Sequence, residues 1–184
     1  MTALKRAFLA IVPPVEVLDA IDALLERPKS SRFAWTRRDQ WHVTMQFFGR
    51  VDDAEALTAA LAPVVATAAP IELRVRGGGA FPRAQKAQVF WLGIEGADAL
   101  ATLHAEFVAA GAEFLARRDR GPFHAHLTLA RLKRTTDLRT DVDALAGVPV
   151  GPAFAVTQLV LLESETRPTG AVYTEQARLP LRGR

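Results

Sequence analysis

The fold of this chain is decided by residues 41–48, which read WHVTMQFF, and by residues 125–130, which read AHLTLA. Each stretch is an apolar run that carries a histidine and a threonine two positions apart. One such H-x-T triplet arises by chance in roughly one chain in five of this length. Two triplets in matched apolar runs are far less expected, so chance is a poor explanation of the pair.

Strand geometry predicts how the side chains of both runs are arranged, because positions i and i+2 of a strand share a face. We expect His42 and Thr44 to form one polar pair, and His126 and Thr128 to form a second. The same alternation places Gln46 beside Thr44. The intervening apolar residues should pack into a core behind each pair.

An internal repeat places the two runs in the same context. Residues 6–11 (RAFLAI) precede a helix and then the first run, and residues 89–94 (VFWLGI) precede a helix and then the second. Each half is therefore a strand, a helix and a strand that bears H-x-T. This order predicts two related halves.

Hydrophobic periodicity and turn residues predict the other elements. Asp52 and Asp53 are candidate N-caps of an Ala-rich helix, which Pro63 should kink or divide. The predicted elements in chain order are a strand at 6–12, a helix at 17–25, a strand at 41–48, the Ala-rich helix, a strand at 71–75 that stops at glycines 77–79, a strand at 88–94, a helix at 97–117, a strand at 123–132, a helix at 141–146, and strands at 156–163 and 171–179.

Composition bounds the class of protein. About half of the residues are apolar (49%) and 23% are charged, as in ordinary globular proteins, and the length predicts a single domain over residues 1–184. Cysteine is absent, which excludes disulfides, thiolate metal sites and a cysteine nucleophile. No apolar run approaches the ~20 residues that cross a bilayer. We expect a cytoplasmic protein with no membrane partner.

Arginine dominates the basic residues, and it is the side chain best suited to bidentate phosphate contacts. The net charge is +3 and the isoelectric point is near 9.8. A phosphate-bearing partner is favoured, with a solvated basic face as the alternative for any one cluster. Three basic clusters lie near the motifs in sequence: Arg37 and Arg38; Arg117, Arg118 and Arg120; Arg131, Lys133 and Arg134.

Two imidazoles with two hydroxyls suit phosphodiester cleavage. One imidazole can accept the proton of the attacking oxygen while the other protonates the leaving oxygen, and threonine hydroxyls can stabilise the non-bridging oxygens. Metal binding and two purely structural histidines are the alternatives. Only His124, beside His126, offers a second ligand near either motif. We interpret His104, among the leucines of a predicted helix, as structural.

The order of these motifs resembles the two-histidine phosphoesterase superfamily, and within it the RNA 2′,3′-cyclic phosphodiesterases, also called 2′-5′ RNA ligases. The resemblance covers nearly the whole chain. It is carried by RAFLAI at 6–11, WHVTMQFFG at 41–49, GAFP at 79–82, VFWLGI at 89–94, PFHAHLTLAR at 122–131, LLES at 161–164 and PTGAVY at 168–173.

This resemblance implies an α+β, bilobal two-histidine phosphoesterase fold, in which two antiparallel sheets flank a central cleft, with helices outside and a pseudo-twofold repeat. It also implies hydrolysis of a terminal RNA 2′,3′-cyclic phosphate to a 2′-phosphomonoester without metal or other cofactor. His126 is assigned as the base and His42 as the acid, although the residues alone leave this order open. Ligation to a 2′-5′ linkage would be the same chemistry with an RNA hydroxyl in place of water.

The resemblance extends to further candidate substrate contacts. Arg131 matches an arginine that follows the second motif in the family, but strict alternation puts it opposite His126, so this role requires a bulge. Gln46 stands where many relatives have a basic residue. Phe48 and Phe123 are candidates for nucleobase stacking, and a position in the core is the alternative for each. Ala125 replaces a common proline.

The expected partners are RNA or nucleotides with 2′,3′-cyclic phosphate ends, with tRNA fragments among the candidates, and the expected state is a monomer. Two alternatives remain open from the sequence. One is a non-catalytic RNA- or nucleotide-binding module of the same fold. The other is a phosphodiesterase that acts on small cyclic nucleotides or 2′-5′ oligonucleotides.

Overall fold

The computed structural model describes residues 2–25, 32–115, 122–168 and 170–183. Within these ranges the chain forms nine strands and four α-helices. They are β1 (Leu4–Ile11), α1 (Val15–Leu24), β2 (Phe33–Trp35), β3 (Val43–Val51), α2 (Ala54–Thr67), β4 (Ile71–Phe81), β5 (Ala87–Glu95), α3 (Ala97–Ala110), β6 (His126–Thr136), α4 (Arg139–Ala144), β7 (Pro149–Val156), β8 (Gln158–Arg167) and β9 (Gly170–Pro180).

The strands form two antiparallel halves that meet at the H-x-T strands. The order is β7-β4-β5-β6-β3-β1-β8-β9, with β2 added to the edge of β6. We call β9-β8-β1-β3 the first lobe and β7-β4-β5-β6 the second lobe. A single pair, Val43 opposite Leu127, joins β3 to β6, so the two expected sheets are continuous at one point. No other residues of β3 and β6 pair with each other, which leaves room for a cleft between the two strands.

The strand–helix–strand repeat is present in both halves. β1 pairs with β3, and β5 pairs with β6, each antiparallel. The helix of each unit contacts the opposite lobe: α1 packs against β7, and α3 packs against β3. Each repeat unit therefore supports the other one.

Alternation along the first part of both motif strands is as predicted. Val43, Met45, Leu127 and Leu129 are each at most 1% exposed and belong to the main core. Their burial fixes the opposite, polar face of each strand toward the cleft. The two histidine–threonine pairs are thereby held on a packed support.

Helix α2 begins as predicted but is not divided. The Asp53 carboxylate accepts hydrogen bonds from the backbone N–H groups of Glu55 and Ala56, which makes it the N-cap. Pro63 lies inside the continuous helix Ala54–Thr67, so of the two predicted effects, a kink or a division, the division does not occur. Burial of Leu61 and Val65 on either side of the proline supports the continuous helix.

Strand β4 continues through the three glycines at which we expected it to stop. A bulge between Val75 and Gly78 accompanies a positive φ of 71° at Gly77. A Cβ added at Gly79 would clash with the ring of Trp91 on β5. The absence of a side chain at Gly79 therefore allows the ring of Trp91 to pack closely against β4.

Two further boundaries differ from the sequence prediction. Helix α3 ends at Ala110, and Gly111 forms its C-cap, whereas the prediction continued to residue 117. Residues 116–121 lie outside the described ranges. Strand β7 was missed because its prolines and Gly151 resemble a loop, but prolines are tolerated at a sheet edge, where β7 lies. In the part of the chain described, no helix is both long and apolar enough to cross a membrane.

Candidate active site

Each motif histidine is oriented by a backbone carbonyl two residues earlier. His42 Nδ1 donates to the Gln40 carbonyl at 2.7 Å, and His126 Nδ1 donates to the His124 carbonyl at 2.8 Å. Because a carbonyl only accepts, the proton of each neutral ring lies on Nδ1, and Nε2 remains free to exchange a proton. His42 Nε2 is 3.1 Å from the Thr44 hydroxyl. The repeat therefore gives both rings the same tautomer.

Aromatic rings pack against both imidazoles. The centroids of Phe8 and Tyr173 lie 4.9 and 5.2 Å from that of His42. Phe81 meets the His126 ring edge-on at 4.9 Å. These contacts restrict ring rotation, so the Nε2 atoms keep a fixed direction.

Two β-bulges occupy equivalent positions in the two motif strands. In β3, Thr44 and Gln46 face successive residues of β1, so Met45 is the additional residue. In β6, Thr128 and Ala130 face successive residues of β5, so Leu129 is the additional residue. Each bulge lies directly after the H-x-T motif and reverses the alternation of side chains beyond it.

The bulges decide which later side chains reach the cleft. In β3, Gln46 is 4% exposed, and its amide nitrogen donates to the Phe47 carbonyl, whereas Phe47 is 47% exposed. In β6, Ala130 is buried and Arg131 is exposed. The bulge that a cleft-facing Arg131 requires is therefore present. Strict alternation was wrong for Gln46, because Phe47 takes the cleft position next to Thr44.

A cavity of about 250 Å³ lies between the lobes. Its lining includes five hydroxyl-bearing side chains and two arginines, and no acidic side chain of the described residues lines it. Its lining residues are Arg6, Phe8, Thr36, Gln40, His42, Thr44, Phe47, His126, Thr128, Arg131, Ser164 and Tyr173. Hydrogen-bond donors and two arginines around a space of this volume suit a phosphate group.

Burial tunes the titrating groups of this cavity. Desolvation lowers the pKa of His42 from 6.5 to about 4, against the opposing effect of its bond to Gln40, and a positive charge on His126 lowers it further. Desolvation also lowers the pKa of His126, opposed by its bond to the His124 carbonyl. Burial raises the pKa of Tyr173, so its hydroxyl remains a donor. Both imidazoles are neutral near neutral pH when the cavity is empty.

A second cavity of about 430 Å³ continues from the first one past His126. The two share Thr44, Phe47 and His126. Phe81 and Phe123 add aromatic surface to the second cavity, beside His104 and His124. A ligand larger than phosphate can extend from the hydroxyl-rich cavity into this aromatic one.

The family model described as the 2′-5′ RNA ligase superfamily matches residues 13–168, which include both motifs. The chain belongs to this superfamily. Among its members, the RNA 2′,3′-cyclic phosphodiesterase of Methanothermobacter thermautotrophicus is 30% identical over 92% of this chain and 95% of its own length. The RNA 2′,3′-cyclic phosphodiesterase of Thermus thermophilus is 32% identical over 97% of this chain and 91% of its own length.

Solved structures agree with the superfamily assignment and confirm the predicted fold class. TT0787 of Thermus thermophilus superposes with a TM-score of 0.79 at 28% identity, covering 97% of this chain and 98% of that one. LigT of E. coli, complexed with 3′-AMP, gives a TM-score of 0.74 at 26% identity with the same coverage. The bilobal α+β arrangement is therefore that of the superfamily.

The superfamily fold brings together most of the candidate residues predicted from sequence. His42, Thr44, His126, Thr128 and Arg131 all line one cavity. Gln46 and Phe123 line the second cavity, where the ring of Phe123 stacks on His104. Phe48 does not line either cavity: it is 1% exposed within the core, so of its two predicted roles, base stacking and core packing, it has the second.

Arg6, Ser164 and Tyr173 line the cavity but were not among the predicted site residues. Arg6 precedes Phe8 by two positions on β1, and Ser164 lies opposite Tyr173 in the β8–β9 ladder. Arg6 shares the cavity with Phe8, which was not predicted either, and neither H-x-T motif marks the two residues. The other two depend on the pairing of β8 with β1, which no local pattern specifies.

The basic clusters differ in their relation to the site. Arg37 pairs with Asp39, and Arg38 pairs with Asp19 and Asp22, so those two belong to surface ion pairs. Arg131 faces the cavity. The cluster of Arg117, Arg118 and Arg120 lies outside the described residues.

Proposed function

We propose that this chain hydrolyses terminal 2′,3′-cyclic phosphates of RNA to 2′-phosphomonoesters without a metal ion. The observation that carries the proposal is the pair of imidazoles, each with Nδ1 fixed by a carbonyl, facing one hydroxyl-lined cavity from opposite lobes. The names of the relatives support the choice of a cyclic phosphate as substrate.

The reaction needs two proton transfers in the same complex. His126 takes a proton from water as the water oxygen bonds to phosphorus, and His42 gives a proton to the 3′ oxygen as the bond between that oxygen and phosphorus breaks. The products are a 2′-phosphate and a 3′-hydroxyl. Thr44 and Thr128 donate to the non-bridging oxygens, and Arg131 offsets their negative charge.

Because burial lowers the pKa of both histidines, binding of the substrate must help to protonate the one that acts as the acid. In the empty cavity both imidazoles favour the neutral form, which suits the base but not the acid. A bound phosphodiester anion attracts a proton to the site and raises the pKa of both rings. The resemblance to the family assigns the acid, and with it the added proton, to His42 Nε2.

Ligation uses the same groups with an RNA hydroxyl as the nucleophile. This hydroxyl would replace water at His126, and the product would be a 2′-5′ phosphodiester. No additional side chain is needed. We expect single nucleotides to bind at this site, since solved structures of LigT contain 3′-AMP and ATP.

The direct test is turnover of nucleoside 2′,3′-cyclic phosphates in the presence of EDTA. We expect His42→Ala and His126→Ala each to lower kcat by ~10²-fold or more, because each removes a proton-transfer group. Unfolding curves of both variants serve as the control for folding. Full activity of both variants would disprove the assignment, and a rate controlled by added Zn²⁺ would favour a metal enzyme.

The alternatives predict different outcomes of the same assay. A non-catalytic module would bind several cyclic-phosphate ligands without turnover. An enzyme for small cyclic nucleotides or 2′-5′ oligonucleotides would turn over those substrates in preference to RNA ends. The monomeric state, the cytoplasmic location and tRNA fragments as substrates stay predictions, which size-exclusion chromatography, cell fractionation and a substrate panel can test.

A further inference from the structure

The two bulged carbonyls next to the active site are each held by a side chain from the other repeat unit. The Met45 carbonyl, at the bulge of β3, accepts a hydrogen bond from His104 Nδ1 on α3 at 2.6 Å. The Leu129 carbonyl, at the bulge of β6, lies 2.8 Å from the Thr36 hydroxyl. His104 and Thr36 thus occupy corresponding roles in the two lobes.

The need for these contacts follows from the topology. β3 and β6 pair only at Val43 and Leu127, so beyond this point neither strand satisfies the backbone groups of the other. A bulge residue has no ladder partner of its own. Its carbonyl must then find a side-chain or backbone donor, because an unpaired buried carbonyl is costly.

Thr36 has a fixed hydrogen-bond direction. Trp41 Nε1 donates to the Thr36 hydroxyl at 3.0 Å, so the hydroxyl proton is directed to the carbonyls of Leu129 at 2.8 Å and Thr128 at 2.9 Å. The Thr36 backbone N–H also donates to the Leu129 carbonyl at 2.9 Å. Since Trp41 directly precedes His42, this chain of bonds connects the first motif to the bulge behind the second one.

His104 makes the corresponding connection in the opposite direction. Its ring stacks on Phe123 with centroids 4.4 Å apart and an angle of 16° between planes. Phe123 lies just before the second motif, and Met45 lies just after the first one. His104 therefore contacts the start of one motif strand and the bulge of the other.

We propose that Thr36 and His104 are positioning residues for the reaction, which fix the two bulges and thereby the placement of both threonines and Arg131. Neither residue takes part in proton transfer. Each bulge sets the direction of the cleft-facing side chains that flank it, namely Thr44 and Phe47 in β3 and Thr128 and Arg131 in β6. The catalytic consequence rests on the proposed function, whereas the effect on the bulges does not.

The test compares a variant that removes each donor with one that keeps it. Thr36→Val and His104→Leu remove the side-chain donor at similar volume, and we call them the donor-free variants; in Thr36→Val the backbone N–H of residue 36 still donates to the Leu129 carbonyl. Thr36→Ser keeps the hydroxyl, and His104→Asn keeps an N–H near the position of Nδ1. We expect the donor-free variants to lower kcat by ~10-fold or more with KM changed by less than ~3-fold, because misplaced groups fail mainly in the transition state. The donor-keeping variants should recover most of kcat.

Hydrogen exchange supplies a readout that needs no turnover. Amides of residues 44–47 should exchange faster in His104→Leu, and those of residues 128–131 faster in Thr36→Val, than in the wild type and the donor-keeping variants. If the wild type hydrolyses no cyclic phosphate, the proposed function fails and this exchange pattern still decides the positioning role.

Three outcomes would overturn the positioning role. One is unchanged exchange and kcat in both donor-free variants. Another is a serine or asparagine variant as impaired as its donor-free counterpart. The third is a large rise in KM at unchanged kcat, which would make His104 or Thr36 a substrate-binding residue instead. Thr36 supports β6 and His104 supports β3, so if one donor-free variant fails to fold, the variants of the other residue still test the role.

Discussion

Replacing His42 with asparagine should make the stability of the protein less sensitive to acid. The side-chain N–H of asparagine can take the place of Nδ1 and donate to the Gln40 carbonyl, so the variant keeps this hydrogen bond and loses the titrating ring. Any difference between the two proteins in the pH dependence of the free energy of unfolding then reports the titration of the His42 ring.

The size of this difference follows from the pKa values. Burial lowers the pKa of His42 in the folded protein from 6.5 to about 4, whereas the unfolded chain keeps the ordinary value. Between these values the unfolded state binds a proton that the folded state does not, so the free energy of unfolding decreases as the pH falls, by about 1.4 kcal/mol per pH unit. From about pH 7 to about pH 4.5 the wild type should lose about 2 kcal/mol more than the variant.

Urea unfolding of both proteins at the two pH values measures this quantity. Carboxylates and His126 titrate in both proteins, so their contribution largely cancels in the comparison. An NMR titration of the ring provides the pKa directly. A difference that stays constant from pH 7 to pH 4.5, together with a ring pKa near the ordinary 6.5, would refute the burial argument.

Three other predictions test the site and the fold. Because burial lowers the pKa of both site histidines, one of them to about 4, kcat/KM should peak below pH 6.5; an alkaline maximum in the pH–rate profile would contradict this. Thr128→Val should lower kcat by ~10²-fold in a steady-state assay by removing a donor to the phosphate, whereas Thr174→Val, at an exposed position of β9, should not. Asp53→Ala should lower the free energy of unfolding by about 1 kcal/mol through loss of the α2 N-cap, and exposed Asp52→Ala by less than about 0.5 kcal/mol in the same denaturation assay; equal effects would argue against the cap.

The repeat and the two histidine–threonine pairs could be predicted from sequence because they depend on local alternation. Apolar residues at every second position specify one buried face, and the polar residues between them must face away from it. This reasoning holds for His42 through Met45 and for His126 through Leu129. It fails at Gln46, where the bulge reverses the alternation.

The bulges themselves could not be located from the sequence alone. A bulge is defined by the register between two strands, and no residue at 45 or 129 marks it locally. The expected role of Arg131 pointed to a bulge in β6 because alternation and that role were in conflict. No comparable conflict arose for Gln46 in β3, so the bulge there went undetected.

Glycine and proline gave misleading signals where tertiary packing determines the local structure. Glycines 77–79 predicted the end of a strand, but Gly79 makes room for Trp91 inside a continuing one. The prolines of β7 predicted a loop, but its position at the sheet edge tolerates them. In both cases the deciding contact comes from a residue distant in sequence.

The most direct measurement for the central claim is the product formed from a nucleoside 2′,3′-cyclic phosphate in excess EDTA, followed by ³¹P NMR. With two histidines as the acid and the base, and with the 3′ oxygen as the leaving group, we predict the 2′-phosphate as the product, and one atom of ¹⁸O on phosphorus when the solvent is labelled water. The absence of turnover, a 3′-phosphate product, or activity that EDTA abolishes would contradict the account.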